Sequence, residues 1–211
     1  MGEIPNGSVF AKRRQRIVCA AVRLFTEHAY ADVHMDAIAA AASVAKPTLY
    51  RYFATKEALF IEALECALEE VRHEVHGLRA GADPVEDRLR QVVACVLDRV
   101  GGLTPAIRAV EGQSSDLGER SRTALWHGFS ALKDEIGALL AEGADTGMFG
   151  RFDVEVVALV VLGGIRMAAH SNAGNRDVAD AVTDFLLNGL RNRCSGPAPT
   201  LDCTSDLGAL I

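Results

Sequence analysis

Proline is scarce in this chain, six in 211 residues, and tryptophan occurs once. Few prolines mean few forced breaks in helical hydrogen bonding, and the abundant alanine, leucine and glutamate favour helix. The five cysteines (Cys19, Cys66, Cys95, Cys194, Cys203) are odd in number and form no CxxC pair. That excludes a disulfide scaffold or a zinc ribbon, and the thiols are read as small reduced core fillers in a cytoplasmic protein. Long apolar runs are also missing. The longest, Val156–Ile165, has ten residues and stops at Arg166, about half of the ~20 needed to span a bilayer. Met1–Phe10 lacks an apolar core, so no export signal is expected. There is no GxSxG, HExxH, Walker A or dinucleotide fingerprint, so no catalytic residue, enzyme activity or cofactor is expected. His73 and His76 lie one helical turn apart without a third ligand at metal-binding spacing and are read as solvent-facing, with no metal site.

What is present is uneven. Hydrophobic residues make up 49% and charged residues 24%, with a formal net charge of −6. Residues 1–60 carry eight bases (Lys12, Arg13, Arg14, Arg16, Arg23, Lys46, Arg51, Lys56) against five acids (Glu3, Glu27, Asp32, Asp36, Glu57), a net +3. The remainder carries 14 bases against 23 acids, a net −9. A basic end on an acidic body points to a polyanionic partner for the end alone.

The apolar spacing is helical throughout. After a leader at 1–10 expected to be disordered, Ile17, Ala21, Leu24 and Phe25 form one stripe of a helix from about Ala11 to His28. Met35, Ile38, Ala39 and Ala42 form a shorter stripe, and Ser43–Val44–Ala45 breaks it. A third helix opens at Lys46–Pro47, where proline suits a helix start, with Leu49 and Phe53 facing inward. Thr55 is placed to cap a fourth, longer helix. Beyond it, Asp83-Pro84-Val85-Glu86 has the layout of a capping box. Thr104–Pro105 opens a short helix to about Gly112, and a longer one is expected over about Asp116–Glu142. Asp153 is placed to cap a very apolar helix reaching about Ser171, and Asn175 to cap a last one with a Val178, Ala181, Val182, Phe185 and Leu186 stripe. The tail 194–211 has no period and is expected to be disordered. The count is about nine helices and no strand: an all-α chain.

Two short helices split by a three-residue turn and backed by a longer helix suit entry of one helix into the major groove of DNA. Periodicity alone does not separate this from an ordinary helical hairpin; the residue string does. Leu24-Phe25, Tyr30, Met35-Asp36-Ala37-Ile38-Ala39, Ala42, Val44, Lys46-Pro47-Thr48-Leu49-Tyr50-Arg51-Tyr52-Phe53 and Lys56-Glu57-Ala58-Leu59 closely resemble the signature of the tetracycline-repressor (TetR) family. The resemblance covers residues 12–60. It implies an all-α homodimer, with a three-helix helix-turn-helix DNA-binding domain at 11–60 and a helical ligand-binding and dimerisation domain at 61–193. By position, the recognition helix is 46–52. Lys46, Thr48, Tyr50 and Tyr52 then match DNA-touching positions, Pro47 sits among them, and Lys56 matches a phosphate contact at the next helix start. Arg51 can reach a phosphate or a guanine edge. The hydroxyls, charges and free helix-end N–H groups suit phosphate oxygens. The family usually has glycine where this chain has Ala29, Ser43 and Pro47, and Ser43 is expected at positive φ, at a cost of about 1 kcal/mol. His34 stands where a Ser or Thr usually caps the second helix and bonds a phosphate. Lys12-Arg13-Arg14-Arg16 suits either a polar helix end or a backbone or minor-groove contact.

In the body, Arg108, Trp126, Phe129, Arg166, Met167 and His170 are candidate ligand-binding residues, because polar groups and aromatics among apolar helices orient small molecules; Glu111 and His127 belong to the same set. Gly163–Gly164 permits close helix approach, at a dimer interface or a pocket wall. The last two helices are expected to join a partner chain in a four-helix bundle, as the resemblance implies. The function that follows is a ligand-responsive transcriptional regulator, most often a repressor, that binds a palindromic operator in double-stranded DNA as a homodimer and is released by a small-molecule effector. A DNA-binding regulator controlled by a protein partner or by abundance is the alternative.

Overall fold

The computed structural model of the chain describes residues 6–112, 117–169 and 175–191. His170, Cys194, Cys203, the start of the expected helix at Asp116 and the tail 194–211 lie outside them. Among the described residues there are nine α-helices and no strand. They are α1 (Asn6–Glu27), α2 (Met35–Ala41), α3 (Lys46–Tyr52), α4 (Lys56–Arg79), α5 (Val85–Gly102), α6 (Thr104–Glu111), α7 (Glu119–Asp145), α8 (Val154–Ala169) and α9 (Asn175–Arg191), with a 3-10 turn at Tyr30–Asp32. None is long and apolar enough to cross a membrane among the described residues.

The first helix begins at Asn6, inside the stretch read as a leader. Phe10 stacks on Tyr52 of α3 with ring centroids 4.3 Å apart, which ties the early turns of α1 to the third helix. The apolar stripes otherwise face as their spacing implies. Ile17, Ala21, Phe25, Ile38, Leu49 and Phe53 are buried together with Leu59 and Phe60 of α4. Phe25, Tyr30 and Phe60 form an edge-to-face aromatic cluster, with centroids 5.0 Å (Phe25–Phe60) and 4.9 Å (Tyr30–Phe60) apart, a favoured ring geometry. Helix α4 therefore belongs to two cores. Its first turns close the N-terminal head against α1, and the rest packs along α7 and α5 in the body. Helix α6 also touches both, lying against α1 and the 3-10 turn on one side and α7 on the other.

Capping follows sequence at some ends and departs at others. Thr55 Oγ1 accepts the Ala58 N–H at 3.1 Å, and Asp153 accepts the Val156 N–H at 3.2 Å. The capping box expected at Asp83–Glu86 does not form, because Pro84 itself is the residue flanking α5. Asp83 instead accepts Gln91 Nε2 at 2.9 Å, while its carbonyl accepts Arg88 Nε at 2.8 Å. Arg88 is the buried charge that periodicity missed. Its guanidinium also reaches the Arg79 carbonyl and the Glu142 carboxylate, so one cation joins the end of α4, the start of α5 and α7. Helix α7 approaches α4 closely at Gly128, where a Cβ would lie 2.4 Å from Leu68 Cδ1.

Two readings need correcting. Among the described cysteines, Cys19 is exposed and fills no core, whereas Cys66 and Cys95 are half-buried and pack against the core, with burial pushing the Cys95 thiol up to about 11. In α9 the expected stripe is split. Val178, Val182 and Leu186 pack half-buried against the core, Ala181 and Phe185 are exposed, and the deepest apolar residues are Ala179, Leu187 and Leu190, outside that stripe. The period alone could not choose which flank of the stripe faces α5.

Candidate functional site

The turn between α2 and α3 is built from backbone. Ser43 sits at φ 52°, the left-handed region expected of this position. Its N–H donates to the Ala40 carbonyl at 3.0 Å, and Val44 N–H to the Ala39 carbonyl at 2.9 Å. This reversal aims α3 away from α2. Leu49, fully buried, anchors α3 from below, leaving Lys46, Pro47, Tyr50 and Arg51 exposed and Thr48 and Tyr52 half-buried. Tyr52 carries the Phe10 ring on its face. All six expected recognition-helix residues therefore lie on one seven-residue helix whose exposed side is polar and basic.

The surrounding cations are held by the protein itself. Lys46 Nζ lies 2.8 Å from Asp36, and the hydrogen bond it donates to that carboxylate holds the ammonium above its ordinary range. Lys56 Nζ sits 4.1 Å from the Tyr30 ring centroid and 3.4 Å from the Ala31 carbonyl, so it stays beside α3 at the start of α4. Arg14 pairs with Glu62 and lies over the Phe53 ring at 5.3 Å, while Arg16 donates to the Ala42 carbonyl at 3.2 Å. These two brace the head internally, unlike their neighbours Lys12 and Arg13. His34 flanks α2 but makes no side-chain cap; its carbonyl accepts the Ala37 N–H at 3.0 Å, and its ring is exposed.

A second feature lies in the body. A cavity of about 960 Å³ opens between α6, α7 and α8, bounded by Val110, Leu117, Leu125, Phe129, Leu159 and Leu162. Of the body residues singled out from sequence, Trp126, Phe129 and Arg166 line it, and so does Glu111. Arg166 pairs with Glu111 and rests over the Phe129 ring at 5.3 Å. Arg108 does not line it. It borders a shallow recess with Tyr30, Thr104 and Pro105 at the junction of head and body. Met167 is 74% exposed, on an outer apolar strip with Val156 and Val160. His127 points toward α4, beside Gly128 and Leu68. Sequence reasoning missed Arg122, Ser130 and Lys133 at the cavity; only their spacing along one face of α7 marked them.

Residues 17–63 match the model of the bacterial regulatory proteins of the tetR family. The head is that of the tetR family of bacterial regulatory proteins. Curated relatives of this TetR-family chain agree. The HTH-type transcriptional regulator YhgD of Bacillus subtilis is 29% identical over 86 residues, 41% of this chain and 45% of that protein. The HTH-type transcriptional activator FasR of Mycolicibacterium smegmatis is 33% identical over 90 residues, 41% of this chain and 40% of that protein. The match thus spans less than half the length of either relative. Solved structures extend the likeness to the body. FadR from Bacillus subtilis, crystallised with stearoyl-CoA, has a TM-score of 0.68 at 19% identity over 84% of this chain and 99% of that one. The fatty acid degradation regulator FadR from Bacillus halodurans has a TM-score of 0.70 at 22% identity, over 90% and 99%. At such identities the likeness is one of fold: a TetR-type arrangement of head and body.

Proposed function

We propose that this TetR-family protein is a ligand-responsive transcriptional regulator that binds a palindromic operator as a homodimer and lets go when a small molecule fills the body cavity. The observation that carries this reading is a cavity of about 960 Å³ one residue away from a direct head–body contact. Leu117 lines the cavity, and the next residue, Gly118, donates its N–H to Glu57 at 3.0 Å. Glu57 follows Lys56 in the chain. The volume is at the upper end of the range for small-molecule sites. The FadR neighbour from Bacillus subtilis, which holds stearoyl-CoA, supports the use of such a body for an effector.

DNA contact falls to the exposed side of α3: Lys46, Pro47, Thr48, Tyr50, Arg51 and Tyr52, with Lys56 at the start of α4 and His34 beside α2. Trp126, Phe129 and Arg166 contact the effector. The second copy packs on the strip formed by Val156, Val160 and Met167 of α8 and Phe185 of α9, each more than half exposed in the single chain. An apolar strip of this kind on a folded chain marks an association surface. The dimer works in the cytoplasm, where the chromosome is, and returns its effector unchanged.

The test is direct. An operator is selected from random-sequence DNA with the full chain and binding is measured at fixed salt. Tyr50→Phe with Lys56→Ala is expected to weaken binding at least tenfold while the far-ultraviolet circular dichroism stays helical. Unchanged affinity refutes the DNA-contact assignment.

A further inference from the structure

The cavity wall carries a charge pattern that specifies more than a container. Three cations line it (Arg122, Lys133 and Arg166) against one acid, Glu111. Lys133 is already satisfied by Glu155 and by Asp134 at 3.1 Å, on its outer side. Arg122, at the exposed mouth, makes no ion pair among the described residues. Arg166 pairs with Glu111 across the cavity wall. Glu111 is the last residue of α6, and a carboxylate at a helix C-terminus faces the negative end of the helix dipole. The other side of the guanidinium lies over the Phe129 ring, which keeps its plane fixed at the apolar wall.

Resting on the effector reading above, we infer that the cavity takes an amphipathic anion, an apolar chain ending in one carboxylate, and that this carboxylate displaces Glu111 from Arg166. The chain lies against Leu125, Phe129, Leu159 and Leu162, and the head group takes the guanidinium fork. An incoming carboxylate that meets the guanidinium fork with both oxygens forms two parallel charge-assisted hydrogen bonds and so competes with Glu111 for the same donors. Displacement frees the C-terminal turn of α6, the helix that touches both α1 and the 3-10 turn of the head. The ligand is thereby read at one ion pair and reported through one helix.

Calorimetry on the full chain without DNA tests this, with octanoate, dodecanoate and palmitate and their matched alcohols as probes, each below its micelle concentration. At least one carboxylate is expected to bind about tenfold or more tightly than its alcohol, the scale of one charge-assisted hydrogen-bonded contact. Arg166→Gln removes that preference and leaves the alcohol within about twofold, whereas Arg166→Lys keeps part of it, because charge survives and the fork does not. Glu111→Gln tightens carboxylate binding several-fold by removing the competitor. Equal binding of acid and alcohol to the unmodified chain, no binding of any carboxylate, or a Glu111→Gln that weakens it, overturns the inference. A carboxylate that binds through Arg166 but leaves operator affinity unchanged keeps this inference and sinks the effector-release reading; release by a neutral compound does the reverse.

Discussion

Glu57 is where the head and the cavity wall meet, and its removal is the most informative perturbation. Its Oε1 accepts the Gly118 N–H at 3.0 Å and the hydroxyl of buried Ser121 at 3.4 Å, at the N-terminus of α7. The first N–H groups of a helix have no intrahelical partner, so this carboxylate acts as a cap supplied from another helix. A hydrogen bond to a charged acceptor is worth about 1.5–3 kcal/mol, and a carboxylate near a helix N-terminus adds about 0.3–1 kcal/mol. Glu57 is half-exposed and the Ser121 contact is long, which places Glu57→Ala around the lower end of that sum, about 1.5–2.5 kcal/mol. In a chain of this size that lowers Tm by roughly 3–10 °C. Glu57→Gln keeps an acceptor oxygen and loses the charge, so its drop is about half as large. The same contact joins the residue after Leu117 to the residue after Lys56. Glu57→Ala is therefore expected to cut the effect of effector on operator affinity, measured by fluorescence anisotropy, while binding of effector alone changes little. A melting temperature and a coupling both indistinguishable from the unmodified chain refute the assignment of Glu57 as cap and link.

Ser43→Gly relieves the positive φ of the turn and is expected to stabilise the chain by about 0.5–1 kcal/mol, read as a small rise in Tm. Gly143→Ala places a Cβ 2.1 Å from Cδ2 of the buried Phe149 ring and is expected to cost about 1–3 kcal/mol in chemical denaturation. Val160→Glu charges the exposed strip of α8, and analytical ultracentrifugation is expected to show a monomer; a persistent dimer places the interface elsewhere. Asp36→Asn releases Lys46 and removes a like charge from the DNA side, so operator binding tightens and its salt dependence steepens by up to about one phosphate contact per head.

The head was legible because its packing is written in its spacing and its family resemblance in the residue string. Leu49 and Phe53 must be buried for Lys46, Tyr50 and Arg51 to be exposed, so one helical period specifies which side is presented, while the residue string on that side carries the resemblance to a DNA-binding module. The left-handed turn at Ser43 was legible from the resemblance, because the family usually carries glycine at that position. The body was less legible. Phe129 and Arg166 were visible as an aromatic and a charge on apolar helices, but Met167 looked the same, and only the rotation of α8 about its axis separates a wall residue from a surface one. That rotation is decided by packing on α5 and α7, which no local pattern encodes. Arg88 shows the limit most plainly. No local pattern marks a buried charge there, yet two backbone carbonyls and Glu142 compensate its burial, and those partners lie at the end of α4, in the turn before α5 and on α7.

The head's positive charge is also less available than its composition implies. Arg14 and Arg16 brace the head internally, Lys46 is held by Asp36, and Lys56 lies on the Tyr30 ring. Among the described residues no ion pair holds Lys12, Arg13 or Arg51. Binding a phosphate through Lys46 is then an exchange of one carboxylate for another anion, which yields less than a new contact would. On the proposed function this matters for control. A head held mainly by diffuse charge would cling to DNA whatever its orientation, because such attraction tolerates small displacements. A head whose cations are fixed in place depends on α3 meeting the groove at the right spacing in both subunits. Effector coupling of about 1–3 kcal/mol is typical, and it can govern occupancy only in a protein of the second kind.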